Sequence, residues 1–123
     1  MRWSPQQLAD YMTKFDHTDD DTPDEGKESK LQGKIVKYCK DHGYPCLSFR
    51  QSRKAKGFVV PGWPDLTICL PASRVIFIEL KAKTGILKAD QRDMALMMLA
   101  LGHEWHEIRS YKKFLEVVNH GRI

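Results

Sequence analysis

An apolar strand that runs directly into two charged residues constrains this chain most. Residues 75–80 are apolar and rich in β-branched side chains except for Glu79, and Lys81 follows them. Side chains in a strand alternate between its two faces, so Glu79 and Lys81 are expected on the same face. Because an unpaired charge is expensive to desolvate, a buried strand that ends in Glu-x-Lys needs a partner for its charges. A bound divalent metal would be such a partner.

A second carboxylate is expected beside this strand end. Residues 66–70 form another apolar run, which Asp65 precedes, and only residues 71–74 separate the two runs. Such a short connection predicts an antiparallel hairpin. The start of one strand then lies beside the end of the other, which brings Asp65 close to Glu79. Two carboxylates and a backbone carbonyl, here that of Leu80, form the oxygen site that Mg²⁺ prefers.

Three more side chains are candidates for the same cluster. Lys81 would orient or help deprotonate an attacking water, or neutralise charge that grows on a phosphorus centre. Glu28, from a helix, would hold a water on the metal or a second ion, and Gln91 would bond to the cluster from the next helix. Each residue also has a structural interpretation: Asp65 as a turn residue, Glu79 with Lys81 as an edge ion pair, and Glu28 as a partner of the helix dipole.

Helical periodicity and capping residues predict the remaining elements. In chain order, the elements are a helix over 5–15, a helix over 27–41, a strand over 45–50, strands over 66–70 and 75–81, a helix over 89–101, a strand over 105–109 and a helix over 110–118. The order α-α-β-β-β-α-β-α indicates an α/β (α+β) protein. The stripe formed by Met94, Met97 and Met98 is interpreted as core, with a dimer contact as the alternative.

Charge is distributed unevenly along the 123 residues. Residues 1–27 carry three Lys/Arg and seven Asp/Glu, a net charge of −4, whereas residues 28–123 carry 17 and 9, a net charge of +8. A body this basic favours a polyanionic partner, with nucleic acid the first candidate, although many basic proteins bind none. The acidic segment 16–25 is interpreted as a solvated tether, with DNA mimicry or packing against a partner subunit as alternatives.

Composition also limits where the protein works. The length predicts one domain, and no apolar run approaches the roughly 20 residues of a membrane span. The N-terminus has no apolar signal-peptide core. Three widely spaced cysteines fit neither a disulfide framework nor a zinc site, so we expect reduced thiols. These observations predict a cytoplasmic protein without a membrane partner.

Taken together, these residues resemble the motif order of the PD-(D/E)XK nuclease superfamily and, more narrowly, of its VRR-NUC (virus-type replication-repair nuclease) family. The matching positions are Glu28 and Gln32 on the first core helix, Gly62-Trp63-Pro64-Asp65, Glu79-Leu80-Lys81, and Gln91. The resemblance covers residues 28–118. It divides the chain into an N-terminal helix and acidic linker, 1–27, and a nuclease domain, 28–123. Lys88 departs from the family's frequent Ser or Thr helix cap, which puts that helix start in question.

The resemblance implies a restriction-endonuclease-like core, with a mixed central sheet flanked by helices. It also implies hydrolysis of DNA phosphodiester bonds that depends on Mg²⁺ (or Mn²⁺). The implied catalytic residues are Glu28, Asp65, Glu79, Lys81 and Gln91, and the implied metal ligands are Glu28, Asp65, Glu79 and the Leu80 carbonyl.

The resemblance further implies a substrate and an assembly. Family members include small stand-alone phage proteins, often dimeric, that cut branched DNA such as four-way (Holliday) junctions. We therefore expect a homodimer that acts on branched DNA, in the cytoplasm of a bacterial host if a phage encodes it. A catalytically inactive DNA-binding module and a sequence-specific restriction-type nuclease on the same fold stay open as alternatives.

Two basic groups are candidates for contacts with DNA phosphates, which position a protein on DNA without reading its sequence. The first is a loop, for which a solvated surface is the alternative, and the second surrounds the end of the third strand. Their members are Arg50, Arg53, Lys54 and Lys56 in the loop, and Lys83, Lys88 and Arg92 beyond the strand.

Overall fold

The computed structural model describes residues 27–49 and 60–120. The predicted first helix, the acidic segment 16–25 and the basic loop lie outside this part, so the proposed division into a linker, 1–27, and a nuclease domain, 28–123, stays a prediction. The described part contains three helices and four strands: α1 Glu28–His42, β1 Cys46–Ser48, β2 Leu66–Leu70, β3 Arg74–Leu80, α2 Ala89–Ala100, β4 Glu104–Ile108 and α3 Tyr111–Asn119.

The four strands form one mixed sheet in the order β1-β2-β3-β4. The pairs β1–β2 and β2–β3 are antiparallel, and β3–β4 is parallel, with α2 as the crossover between them. The predicted hairpin is confirmed, with Leu66 opposite Ile78 and Leu70 opposite Arg74. Its tight connection places Ala72 and Ser73 in the left-handed region, at φ of 62° and 61°. The α+β class and the mixed sheet flanked by helices are also confirmed.

Strand alternation separates the two faces of the sheet. Even-numbered residues of β2 and β3 pack with α1 and α3 in the larger core. The opposite face of β3 and β4 packs with α2 in a smaller core, to which Trp105 and Phe77 contribute. Because Glu79 and Lys81 share the parity of Phe77, they belong to the α2 side of the sheet.

Local signals in the sequence explain where the helices begin and end. α1 stops at Gly43, whose φ of 72° suits glycine and whose N–H bonds to helix carbonyls. α3 begins after Ser110, whose Oγ accepts a hydrogen bond from the Lys113 backbone N–H at 3.1 Å. Both boundaries agree with the predictions to within one or two residues.

The interpretation of the methionine stripe as core is wrong for one member. Met98 is buried, with 5% of its surface exposed, and Met94 packs at the edge of the smaller core, but Met97 is 55% exposed. Leu101, one turn further on, is 65% exposed. The reason is that the buried face of α2 is formed by Gln91, Ala95, Met98 and Leu99, and Met97 and Leu101 lie to one side of that face on the helix.

Two predictions drawn from composition can be compared with the structure. All three cysteines are free thiols, and a hydrogen bond with Cys46, together with burial, raises the pKa of Cys39. None of the helices within 27–49 and 60–120 combines the length and the apolarity that crossing a membrane requires.

Candidate active site

Three of the predicted residues come together at one end of the hairpin. Asp65 directly precedes β2, Glu79 is the penultimate residue of β3, and Lys81 directly follows that strand. Since Leu66 pairs with Ile78, the antiparallel register continues with Asp65 beside Glu79. The three side chains are only 2%, 1% and 7% exposed. Two carboxylates and an ammonium group are therefore buried at the same end of the two central strands.

A hydrogen bond fixes Asp65 against β3. Its Oδ2 accepts from the Leu80 backbone N–H at 2.9 Å. The backbone on the other side is also paired, because the Asp65 carbonyl accepts from the Phe49 N–H at 2.8 Å. The Asp65 side chain is thus held by the end of β3, and its backbone by the residue that follows β1.

Gly62 allows the segment before Asp65 to pack closely against the backbone at the start of α2. It has a φ of 80°, and a Cβ added there would lie 2.1 Å from the Asp90 carbonyl oxygen and 3.0 Å from the Gln91 nitrogen. Only glycine permits both this backbone conformation and this contact. The segment that delivers Asp65 is therefore packed directly onto the first turn of α2.

Gly62→Ala is expected to destabilise the protein by about 2–4 kcal/mol, since it adds backbone strain and forces two packed segments apart. Gly43→Ala is the matched control, because Gly43 has a similar φ of 72° but nothing within 4 Å of an added Cβ. Urea unfolding of both variants would separate strain from the clash. Equal losses of unfolding free energy in the two variants would contradict the importance of the contact.

Gln91 has a defined role at the start of α2. It is 6% exposed, and its Oε1 accepts a hydrogen bond from the Lys88 backbone N–H at 2.9 Å. Lys88 is the N-cap residue but provides no side-chain cap. Gln91 thus supplies the half of a capping box in which the third residue of the helix accepts from the N-cap N–H, and the helix starts as predicted.

Glu28 lies on a different element from the other acids. It begins α1, which packs on the opposite face of the sheet. Gln32, one turn further on, donates from Nε2 to the Ser48 Oγ at 2.7 Å and so faces the end of β1. Among the described residues, no group of three or more His, Cys, Asp and Glu side chains is arranged to hold a metal ion. The register of the hairpin therefore pairs Asp65 with Glu79, and the place of Glu28 beside them stays a prediction.

Two residues of this region were absent from the sequence prediction. Glu107 pairs in register with Glu79 across β3 and β4, and Arg109 forms an ion pair with it. Both side chains are nearly buried, at 3% and 8% exposure. The sequence did contain a pattern that could have indicated these two residues, because Glu107-Ile108-Arg109 ends β4 with the same Glu-x-cation order that ends β3.

The basic candidates divide into two groups. Arg50, Arg53, Lys54 and Lys56 lie outside the described residues. Lys83, Lys88 and Arg92 follow β3 or begin α2, at the same end of the sheet as Asp65 and Glu79. Phosphate contacts by either group stay a prediction.

The donor set fits a hard divalent cation. Two adjacent carboxylates, of Asp65 and Glu79, are almost inaccessible to solvent, and two like charges so placed favour a cation between them. Carboxylate and carbonyl oxygens are the ligands that Mg²⁺ and Mn²⁺ accept. Asp65, Glu79 and the Leu80 carbonyl would hold such an ion.

Comparison with known proteins finds a solved structure with a similar fold. No family model and no curated protein sequence matches the chain. A solved structure described as a VRR_NUC domain is similar to it, with a TM-score of 0.60 and 21% sequence identity over 76% of this chain and 96% of the other. At this level of identity the likeness establishes the fold. The protein therefore has the fold of a VRR_NUC domain, as the order of its motifs predicted.

Proposed function

We propose that this protein is a nuclease of the VRR-NUC type, an Mg²⁺- or Mn²⁺-dependent endonuclease that hydrolyses phosphodiester bonds in branched DNA. The observation that carries the proposal is the burial of Asp65, Glu79 and Lys81 together at one end of the β2–β3 hairpin. A set of charges that only held the fold together would be expected at the surface, where desolvation costs little. The similarity in fold to a VRR_NUC domain supports the same conclusion.

Each residue has a role that its position supports. Asp65, held by the Leu80 N–H, and Glu79 would bind the cation. When bound, the cation would supply positive charge to the phosphodiester group. Lys81 would orient the attacking water and assist its deprotonation, because it lies on the same face as Glu79. Gln91 would hold the start of α2 in place. Glu28, at the start of α1, is kept in the proposed set as the residue that would hold a water on the cation or a second ion.

The surroundings support a DNA substrate. Residues 28–123 carry a net charge of +8, and Lys83, Lys88 and Arg92 lie at the same end of the sheet as the acidic pair. Lysine and arginine side chains in this arrangement would contact phosphates on either side of the cleaved bond. From their charge alone, Arg50, Arg53, Lys54 and Lys56 are proposed to contact phosphates as well.

We also propose that two copies act together. Cutting a four-way junction symmetrically requires two active sites, and each chain provides one. Exposure of Met97 and Leu101 on α2 supports the interpretation of that stripe as a contact surface.

A four-way junction, a linear duplex and a flap of matched sequence, incubated with Mg²⁺ or with EDTA, would test this function. Cleavage of the junction in Mg²⁺ alone, by a protein that light scattering shows to be a dimer, is the expected result. Binding without cleavage in any divalent metal would favour an inactive DNA-binding module. Regular cleavage of the linear duplex at one sequence would favour a restriction-type nuclease, and a monomer that still resolves junctions would contradict the dimer.

A further inference from the structure

Arg109 makes an unusually dense set of contacts beside the candidate active site. It directly follows β4 and forms an ion pair with Glu107 through Nε and Nη2. Its Nη1 faces three backbone carbonyls, of Ala82 at 2.8 Å, Lys83 at 3.1 Å and Gly85 at 2.6 Å. One guanidinium group thus joins the end of β4 to the turn that follows β3.

That turn lies along the side chain of Lys81. The ideal Cβ position on Gly85 is 3.5 Å from the Lys81 Cδ, and the Gly85 N–H bonds to the Ala82 carbonyl at 2.9 Å. The Lys81 backbone is held as well, because its N–H donates to the Ile108 carbonyl at 3.1 Å. If the loss of Arg109 displaced this turn, the packing around the aliphatic part of the Lys81 side chain would therefore change.

Arg109 also separates the roles of two neighbouring carboxylates. Glu79 and Glu107 are adjacent in the β3–β4 register, and both are buried. The guanidinium beside Glu107 offsets its negative charge. Of the two carboxylates, Glu107 is therefore the one that Arg109 holds.

We propose that Arg109 is a positioning residue for the reaction: through the turn 82–85 it holds Lys81 in place beside Glu79. This inference rests on the proposed nuclease function. A misplacement of about 1 Å in a reacting group can lower a rate about 100-fold, so a residue that never contacts substrate can affect the chemical step strongly.

The same pair of strands provides a matched control. Arg74, at the first position of β3, binds Glu104, at the first position of β4, through Nε at 2.7 Å and Nη2 at 2.9 Å. It also donates to the carbonyls of Val117 at 2.7 Å and Val118 at 2.9 Å. Both arginines therefore join a β4 glutamate to main-chain carbonyls, but the Arg74 cluster lies at the opposite end of the strands from Lys81.

The test compares the two clusters in the full chain. Because Arg109→Met alone leaves Glu107 buried without its counter-ion, the double variant Arg109→Met/Glu107→Gln is made as well, with Arg74→Met/Glu104→Gln as its control. Single-turnover cleavage at saturating junction DNA, the Kd for DNA, and hydrogen exchange of residues 82–87 are measured for each. The Arg109 variants are expected to cleave about 10- to 100-fold more slowly, with a Kd close to that of the wild type and faster exchange in that segment.

The outcomes are distinguishable. The Arg74 double variant is expected to cleave at the wild-type rate, and Arg109→Lys to fall between wild type and Arg109→Met, because one ammonium cannot span the contacts of a guanidinium. Equal slowing by both double variants would show that Arg109 is merely structural. Cleavage at the wild-type rate by the Arg109 variants would overturn this inference but leave the proposed nuclease function standing. A wild-type protein that cuts no DNA would overturn the proposed function, and this inference with it.

Discussion

Lys81→Met is expected to lower the rate of DNA cleavage by about 10²- to 10⁴-fold, the range over which a positioned acid or base contributes. Lys81 is 7% exposed and lies on the same face as Glu79, two residues away. Methionine has a similar volume and no charge, so the packing of its stem against Gly85 is retained while the ammonium group is lost. Single-turnover cleavage of a labelled junction in Mg²⁺ would measure the effect.

Binding and chemistry should separate in this variant. Because Lys81 is buried, its loss is expected to change the Kd for DNA far less than the rate. Lys112→Met is the control: Lys112 is an exposed lysine on α3, so its loss removes the same charge at the opposite face of the sheet. Cleavage by Lys81→Met within twofold of the wild-type rate would contradict the role assigned to this residue.

Asp65→Asn is expected to reduce cleavage on the order of 10³-fold, which corresponds to a loss of about 4 kcal/mol of transition-state stabilisation. The amide oxygen of asparagine can still accept the Leu80 N–H that Asp65 Oδ2 accepts at 2.9 Å. The fold is therefore kept while the negative charge that would bind the cation is removed. This combination makes Asp65→Asn a more specific test of the metal site than a change to alanine.

Calorimetric titration with Mn²⁺ provides a second measurement that does not depend on cleavage. Wild type is expected to bind Mn²⁺ more tightly than Asp65→Asn. The control is Asp41→Asn, because Asp41 is exposed and its ion pair with Lys37, at 2.7 Å, contributes little stability. Unchanged Mn²⁺ binding by Asp65→Asn would argue against a metal site at this position.

Local patterns in the sequence predicted the hairpin correctly. The alternation in residues 75–80 and the short connection before it both depend on neighbours along the chain, and the observed β2 and β3 differ from the prediction by at most one residue at each end. The positions of Gly43 and Ser110 likewise predicted where α1 ends and α3 begins. The first strand was predicted too long, since residues 45–50 were expected in it and β1 spans only Cys46–Ser48.

Contacts between distant segments were harder to predict. The close approach of Gly62 to Asp90 joins a loop to a helix 28 residues later, and no periodicity encodes it. The exposure of Met97 depends on which face of α2 packs against the sheet, so an apolar stripe alone did not distinguish core from surface. Whether Glu28 reaches the acidic pair also depends on the angle of α1 to the sheet, which lies beyond any local pattern.

The sequence by itself determined that Asp65, Glu79 and Lys81 would lie at one end of a hairpin, because strand alternation and a short turn leave little freedom over so few residues. Only the tertiary structure decided what supports them. The parallel pairing of β4 with β3 places Glu107 beside Glu79, and Arg109 then reaches the carbonyls of residues 82–85. These contacts span 24 to 28 residues of chain, and they form only when α2 has crossed the sheet and returned the chain alongside the strand that carries Glu79.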